Sequence, residues 1–408
     1  MSSNTIVPAL DALNVDNVFI YVGDAVRWDT LSDRIAERGT TMKTIAASTH
    51  SPSSFASLAT GQYAPSHGVS TFSHRIADGV SRIFDTEGVE STFVNSIFEH
   101  AERKHDDVVD PIYSVLDLDP PDESSPFDEA SPPFIAMERG PGGHAPYGTF
   151  SGTATEYFER AGPADFDGLL AEYLTSVELD ADLFCDRLDE LDERGLRDDT
   201  LVIYTSDHGE LLGEGGMLGH SSPMRPELAY VPTVFVHPDL PRTTVNRASL
   251  HHVDLVPTVL DVLDRSPPAW DFDGISIAEG FPSGPRPCSY FSNPLPDSMA
   301  ALSDGLRYAG AWEASGGFVF AECSRSDRLA ILGAKLARSS KRRYLRRRLG
   351  AAGMSYHQSS TRYGAPTFSR EEGKRLLTEA IHEPSESQHS DLSGDAEQQL
   401  RDLGYLGP

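Results

Sequence analysis

Asn17–Gly23 reads NVFIYVG and runs straight into Asp24, while Thr200–Thr205 reads TLVIYT and opens into SDHGE at Ser206–Glu210. Both are short, unbroken apolar runs, the pattern of strands buried on both faces of a sheet. Each delivers a carboxylate at its C-terminal end, the edge of an open α/β sheet where ligands bind. Between and after them, Thr92–Val94, Pro133–Met137 (PFIAM) and Val231–Val236 (VPTVFV) read as further strands. Phe166–Arg194 carries Leu169, Leu170, Tyr173, Leu174, Val177, Phe184, Leu188 and Leu191 at helical spacing and is stopped by Gly195. His252–Leu263 reads as another helix, started near Asp254 and Pro257. Strand and helix alternate in this way as far as Leu263, which predicts an α/β layered sheet.

The pattern changes beyond Asp273-Gly274. From Pro285 to Leu332 the short pieces CSYF, GLRYAG and GFVFAE suit a small antiparallel sheet. Two units are therefore expected: a catalytic α/β domain over 1–284 and a smaller C-terminal subdomain over 285–408. Lys335–Arg348 holds eight Lys or Arg in fourteen positions. It reads as a solvated helix held against the protein's own acidic surface. Ala396–Leu406 is expected to dock as a short terminal helix.

With 39% hydrophobic residues the 408-residue chain can bury a core, and its 62 acidic against 34 basic residues give a formal charge of -28. Such a field repels nucleic acid and anionic membranes, so neither is expected as a partner. Concentrated salt would screen the self-repulsion, which marks the chain as salt-adapted, or halophilic. Cys185, Cys288 and Cys323 lack metal-ligand or disulfide spacing and are expected as buried thiols. The N-terminus has no basic patch followed by a long apolar run, and no stretch reaches the roughly 18 apolar residues of a membrane span. The expectation is a cytoplasmic protein.

Asp24, Asp207 and His208 offer oxygen and nitrogen donors for a divalent ion, although a lone Asp at a strand end is often a turn or helix cap. Ca²⁺ or Mg²⁺ suits the carboxylates, and His208 makes Mn²⁺ or Zn²⁺ reasonable. Ser51, in THSPSSFASLATG ahead of a helix through Phe55–Leu58, is either a helix cap or a hydroxyl that ionises beside the metal and attacks sulfur or phosphorus. His144, after Pro141-Gly142-Gly143, could contact a substrate oxygen or protonate a leaving group. His220 closes the Gly-rich GEGGMLGH, and Arg27 could orient a phosphate or Asp24; surface or structural roles are open for all three.

These residues resemble the sulfatase branch of the alkaline phosphatase-like superfamily. The matching stretches are NVFIYVGDAVRWD at Asn17–Asp29, SPSSFASLATGQYAPSHGV at Ser51–Val69, LRDDTLVIYTSDHGELLGE at Leu196–Glu214, VPTVFVHP with HVDLVPTVLDVL, and the closing DLGYLGP. The resemblance implies a large central mixed sheet flanked by helices, a smaller C-terminal antiparallel subdomain, and a small anionic ester as substrate. It implies metal ligands at Asp24, Asp207 and His208, with Ser51 also on the metal as the nucleophile. His144 falls at the family's substrate histidine, and His220 where many members carry a Lys. Gly23 stands where a second Asp is common, Ser51 replaces the usual Cys, and Phe55 replaces the usual Arg. Pro52 and Ser53 invert the local order, which leaves Thr49 and Ser53 as rival hydroxyls. An unmodified Ser51 is therefore expected, in a metal-dependent hydrolase of sulfate or phosphate esters. The alternatives are a phosphodiesterase or phosphonate monoester hydrolase, a non-catalytic metal- or glycan-binding relative, and an isomerase or transferase on the same fold.

Overall fold

The computed structural model describes residues 6–97, 110–121, 125–128, 130–160, 166–265, 270–293, 303–381, 388–389, 394, 396–397 and 400. Its main body is a seven-stranded mixed sheet in the order Glu90–Asn95, Phe134–Gly140, Asn17–Gly23, Thr200–Ser206, Tyr230–Val236, Thr40–Ile45, Thr243–His251. The first four strands are parallel, while Tyr230–Val236 runs antiparallel to both its neighbours. Asn17–Gly23 and Thr200–Ser206 are buried at every position, as unbroken apolar runs require. The sheet is covered on one side by the helix Phe166–Glu193, whose Ala181, Phe184 and Leu188 pack with Phe19, Tyr21 and Tyr204. On the other, Ser51–Thr60 and Leu255–Val262 pack Phe55, Leu58, Val256 and Val259 with Val18, Ile20 and Val22.

Arg286–Ser292, Leu306–Glu313, Gly316–Ala321 and Ser360–Gly364 form the second, four-stranded antiparallel sheet. The fold is thus α/β, with a mixed central sheet flanked by helices and a smaller C-terminal antiparallel sheet. Two central-sheet strands, Thr40–Ile45 (TTMKTI) and Thr243–His251 (TTVNRASLH), lack an apolar run. The first buries its polar atoms in pairs: Thr44 Oγ1 donates to Thr233 Oγ1 at 2.6 Å, and Lys43 Nζ lies 4.7 Å from the Tyr230 ring centroid.

The basic stretch divides between the helices Arg325–Arg338 and Arg342–Arg347, with Lys341 between them, and the helix Leu349–His357 follows it. Leu400 is buried in the main core, whereas most of Ala396–Leu406 and all of the closing DLGYLGP lie outside the described residues. No described helix is long and apolar enough to cross a membrane.

Candidate metal centre and anion site

Strand register builds the centre. Gly23 pairs with Ser206 on one side and with Gly140 on the other, so Asp24, Asp207 and Pro141 leave three adjacent parallel strands at one edge. Asp207 Oδ1 accepts from the backbone N–H of Ala25 (3.0 Å) and of His208 (2.8 Å), which ties two strand ends together. Ser206 adds a second tie, its Oγ accepting from Val26 N–H at 2.8 Å and donating to the His208 carbonyl at 2.8 Å. Ala25 is held at φ 60°, a left-handed conformation that costs about 1–3 kcal/mol for a non-glycine residue and clusters at functional sites.

One ligand atom from each of Asp24, Asp207 and His208 lies within 4.8 Å of the others, and all three residues are buried. His208 Nδ1–H donates to the Gly209 carbonyl at 2.9 Å, which leaves the Nε2 lone pair facing Ser51 Oγ at 3.1 Å. Burial pushes the Asp207 carboxyl up, and the charge of Asp24 pushes it further. Burial alone would raise Asp24 as well, but the charge of the Arg139 guanidinium holds it well below the usual carboxylate range. Asp207 Oδ2 is buried with no hydrogen-bond partner among the described residues. Two buried carboxylates, an imidazole lone pair and an unsatisfied anionic oxygen fit a divalent cation, which would offset their mutual repulsion.

Ser51 begins the helix Ser51–Thr60, and the cap position belongs to His50, whose side chain makes no cap bond. The cap role is therefore not what holds Ser51; its hydroxyl is turned to His208. The hydroxyls of Thr49 and Ser53 are buried and make no hydrogen bond among the described residues.

His144 and His220 converge on the same place. Their ring centroids are 5.3 Å apart, and His220 lies 4.4 Å from His208. His144 arrives through Gly142, held at φ 55°, where a β-carbon would overlap the Asp24 backbone; Gly143 N–H donates to the Asp24 carbonyl at 2.7 Å. His144 Nδ1–H donates to the Ala145 carbonyl at 2.7 Å, and His220 Nδ1–H to Glu210 Oε2 at 3.0 Å. Burial pushes both imidazoles down toward the neutral form. Arg27 differs from this group. Its guanidinium donates to Asp29 at 2.7 and 2.9 Å and to Glu214 at 2.8 Å, contacts that brace a loop rather than present an anion ligand.

Four further residues belong to the site. Glu210 receives His220 and the Tyr147 hydroxyl (2.6 Å), and burial pushes its carboxyl up. Its only signal in sequence is its place in SDHGE. Arg139, buried, donates to Asp24 from Nε and Nη2 and to Asp110 from Nη1. From the basic stretch, Lys335 donates to the Ser221 carbonyl, and Lys341 places Nζ where a β-carbon of Gly219 would stand. The expected outward-facing helix accounts for Arg342, which pairs with Glu159 at 2.8 Å, but not for these two lysines.

A carboxylate–imidazole cluster at the C-terminal edge of a mixed α/β sheet, with a buried hydroxyl beside it, stands where open α/β sheets bind ligands, and the fold is that of the alkaline phosphatase-like superfamily. The chain belongs to the sulfatase family, whose description "Sulfatase" matches residues 3–265. It is 31% identical over 96% of its length, and 96% of the relative's, to the low-salt glycan biosynthesis sulfotransferase Agl7 of Haloferax volcanii. In fold it is similar to the phosphonate monoester hydrolase of Agrobacterium radiobacter, with a TM-score of 0.56 at 16% identity over 83% of this chain and 96% of that one. A third relative, an extracellular sulfatase SULF-1 homolog of Drosophila melanogaster, is 35% identical over 29% of this chain and 10% of its own. That match overturns the cytoplasmic placement. The placement rested on the lack of an apolar leader, and a family with an extracellular member gives that lack no weight.

Proposed function

We propose that the protein is a metal-dependent hydrolase of sulfate or phosphate esters in which Ser51 is the nucleophile. The observation that carries this reading is the 3.1 Å contact of Ser51 Oγ with His208 Nε2, inside a cluster with Asp24 and Asp207. A divalent cation held by Asp24, Asp207 and His208 would supply charge stabilisation for the transferred group. Ser51 gives up its hydroxyl proton to solvent, which the cation's charge would favour, and its Oγ attacks sulfur or phosphorus; the bond to the organic oxygen breaks, and water later releases the group from Ser51 and returns a proton to Oγ. Burial disfavours the charged forms of His144 and His220, and the negative charge of a sulfate or phosphate ester held beside them would favour those forms. His220, backed by Glu210, then hands a proton to the leaving oxygen.

A peptide mass measurement after rapid quenching tests this reading. An aryl sulfate and a phosphonate or phosphate monoester are each supplied, and an adduct is expected on the peptide carrying Ser51. The change Ser51→Ala should remove the adduct and cut turnover by about 10³-fold or more. An adduct on Thr49 or Ser53, or full turnover without Ser51, overturns the assignment.

The sulfotransferase relative favours a second reading, in which a sugar hydroxyl replaces water as acceptor. Supplying a glycan acceptor to the pre-formed adduct separates the two. Hydrolysis leaves the acceptor unmodified, and transfer leaves it carrying the group.

A further inference from the structure

The lysines at 335 and 341 stand apart from the rest of the basic stretch. Lys335, on the helix Arg325–Arg338, donates to the carbonyl of Ser221, the residue after His220. Lys341 Nζ sits 4.6 Å from the centroid of the Phe158 ring and against Gly219, the residue before His220. The two ammonium groups therefore flank the short segment that carries His220 into the site. Among the described residues, neither forms an ion pair with a carboxylate. The carboxylate whose charge acts on Lys341 is Glu210, which already serves His220 and Tyr147. Burial pushes Lys335 down to about 7, and the charge of Lys341 adds to the effect.

Among the described residues, Glu210 is the carboxylate whose charge reaches these half-buried lysines, and it reaches Lys341 only. Drawing two ammonium groups partly out of water side by side is costly, and Glu210 offsets that cost at Lys341 only. Gly219, at φ 75°, leaves the space that Lys341 fills. The arrangement is that of a site whose missing anion arrives with the ligand.

We propose that Lys335 and Lys341 form a second anion subsite beside His220, which binds a second anionic group on the organic part of the ester. The substrate class is then a doubly anionic ester: one group held at Ser51 and the metal ligands, the other a sulfate, phosphate or carboxylate a few bonds away. This inference rests on the ester-cleaving reading of the site, but its test needs no turnover.

The test is a calorimetric titration of the full chain with non-hydrolysable probes at fixed ionic strength. Benzenesulfonate carries one anion; benzene-1,3-disulfonate, 3-sulfobenzoate and 3-phosphonobenzenesulfonate carry two. The wild type should prefer the best two-anion probe by roughly tenfold or more, as expected for an added charge-assisted contact. The three two-anion probes rank sulfonate, carboxylate and phosphonate as the second group. The double variant Lys335→Gln/Lys341→Gln should lower that preference to about twofold or less, and Lys335→Arg/Lys341→Arg should keep most of it. The arginine pair and the two single Gln variants keep the question open to measurement if the double Gln variant unfolds. No preference in the wild type, or an unchanged preference in the Gln variants, overturns the subsite. Absence of any Ser51 adduct would instead sink the ester reading while leaving the preference ratio as measured.

Discussion

The Arg139 guanidinium lies over the ring of Phe55, 5.4 Å from its centroid, and donates to Asp24 from the same position. Phe55 occupies the place where the family resemblance leads one to expect an arginine, so the guanidinium comes instead from the end of the strand Phe134–Gly140. The positive charge thus stays beside the metal ligands while the helix face contributes an aromatic platform.

Removing that charge should make the fold depend on cation. Arg139→Met removes the guanidinium that both Asp24 and Asp110 receive in the interior, a loss of about 3–5 kcal/mol. A divalent cation at Asp24 would replace part of the charge. Thermal unfolding with and without Mg²⁺ or Ca²⁺ should therefore show a larger cation-induced shift in the variant than in the wild type. Equal shifts would show that Arg139 and the cation do not share Asp24.

Gly142 offers a separate test of how the centre is held. In Gly142→Ala the new β-carbon falls on the Asp24 backbone, which cannot move without moving a ligand. Gly88→Ala is the control, since φ there is 71° with nothing within 4 Å of the new carbon. The control should cost about 1 kcal/mol of backbone strain, whereas Gly142→Ala should cost more and weaken divalent-cation binding by at least about tenfold. Cation affinity unchanged in Gly142→Ala would mean that the 141–144 loop does not set the position of Asp24.

Asp24, Asp207 and His208 were legible because the strands before them are unbroken apolar runs, and register alone then brings their ends together. Arg139 was not. The strand reading stopped at Met137, where hydropathy drops, yet Glu138 and Arg139 continue the strand fully buried. Glu138 is satisfied by Arg187 and Ser96, so its cost is met by partners distant in sequence. Thr40–Ile45 escaped notice for the same reason: Thr44 bonds to Thr233 on the next strand, and Thr40 and Thr41 donate to the carbonyls of Pro241 and Ala36. For Lys335 and Lys341 no spacing distinguishes the inward lysines from the outward arginines. Their direction is set by the break between the helices Arg325–Arg338 and Arg342–Arg347.

The charge of -28 predicts a stability that rises with salt. Raising NaCl from about 0.1 M to about 1 M shortens the screening length from roughly 10 Å to roughly 3 Å, which quenches repulsion between surface carboxylates. The fully buried Arg139–Asp24 pair is screened far less. The melting temperature should climb over that range, and a neutral osmolyte at matched osmolarity should not reproduce the slope. A flat melting temperature would show that surface repulsion does not limit this fold.

His67 gives the last prediction, from protonation. Its Nδ1 accepts from Val69 N–H at 3.1 Å, so Nε2–H donates to Ser57 Oγ at 3.1 Å, and both ring nitrogens are used by the neutral form. Burial pushes its pKa down from 6.5 to about 3. The unfolded chain therefore gains a proton near pH 6.5 that the folded chain refuses until about pH 3. Stability from this group is fully present above pH 6.5 and is lost progressively as pH falls toward 3. Between pH 7.5 and pH 5 the loss is about 2 kcal/mol. Buried carboxyls pushed up by desolvation, Asp207 and Glu210 among them, act in the opposite sense, so the total slope does not isolate His67. The comparison with His67→Gln does. Denaturant titrations at both pH values and constant salt should show a variant that is weaker at pH 7.5 but loses about 2 kcal/mol less than the wild type on acidification. Parallel losses in the two proteins would place the proton elsewhere.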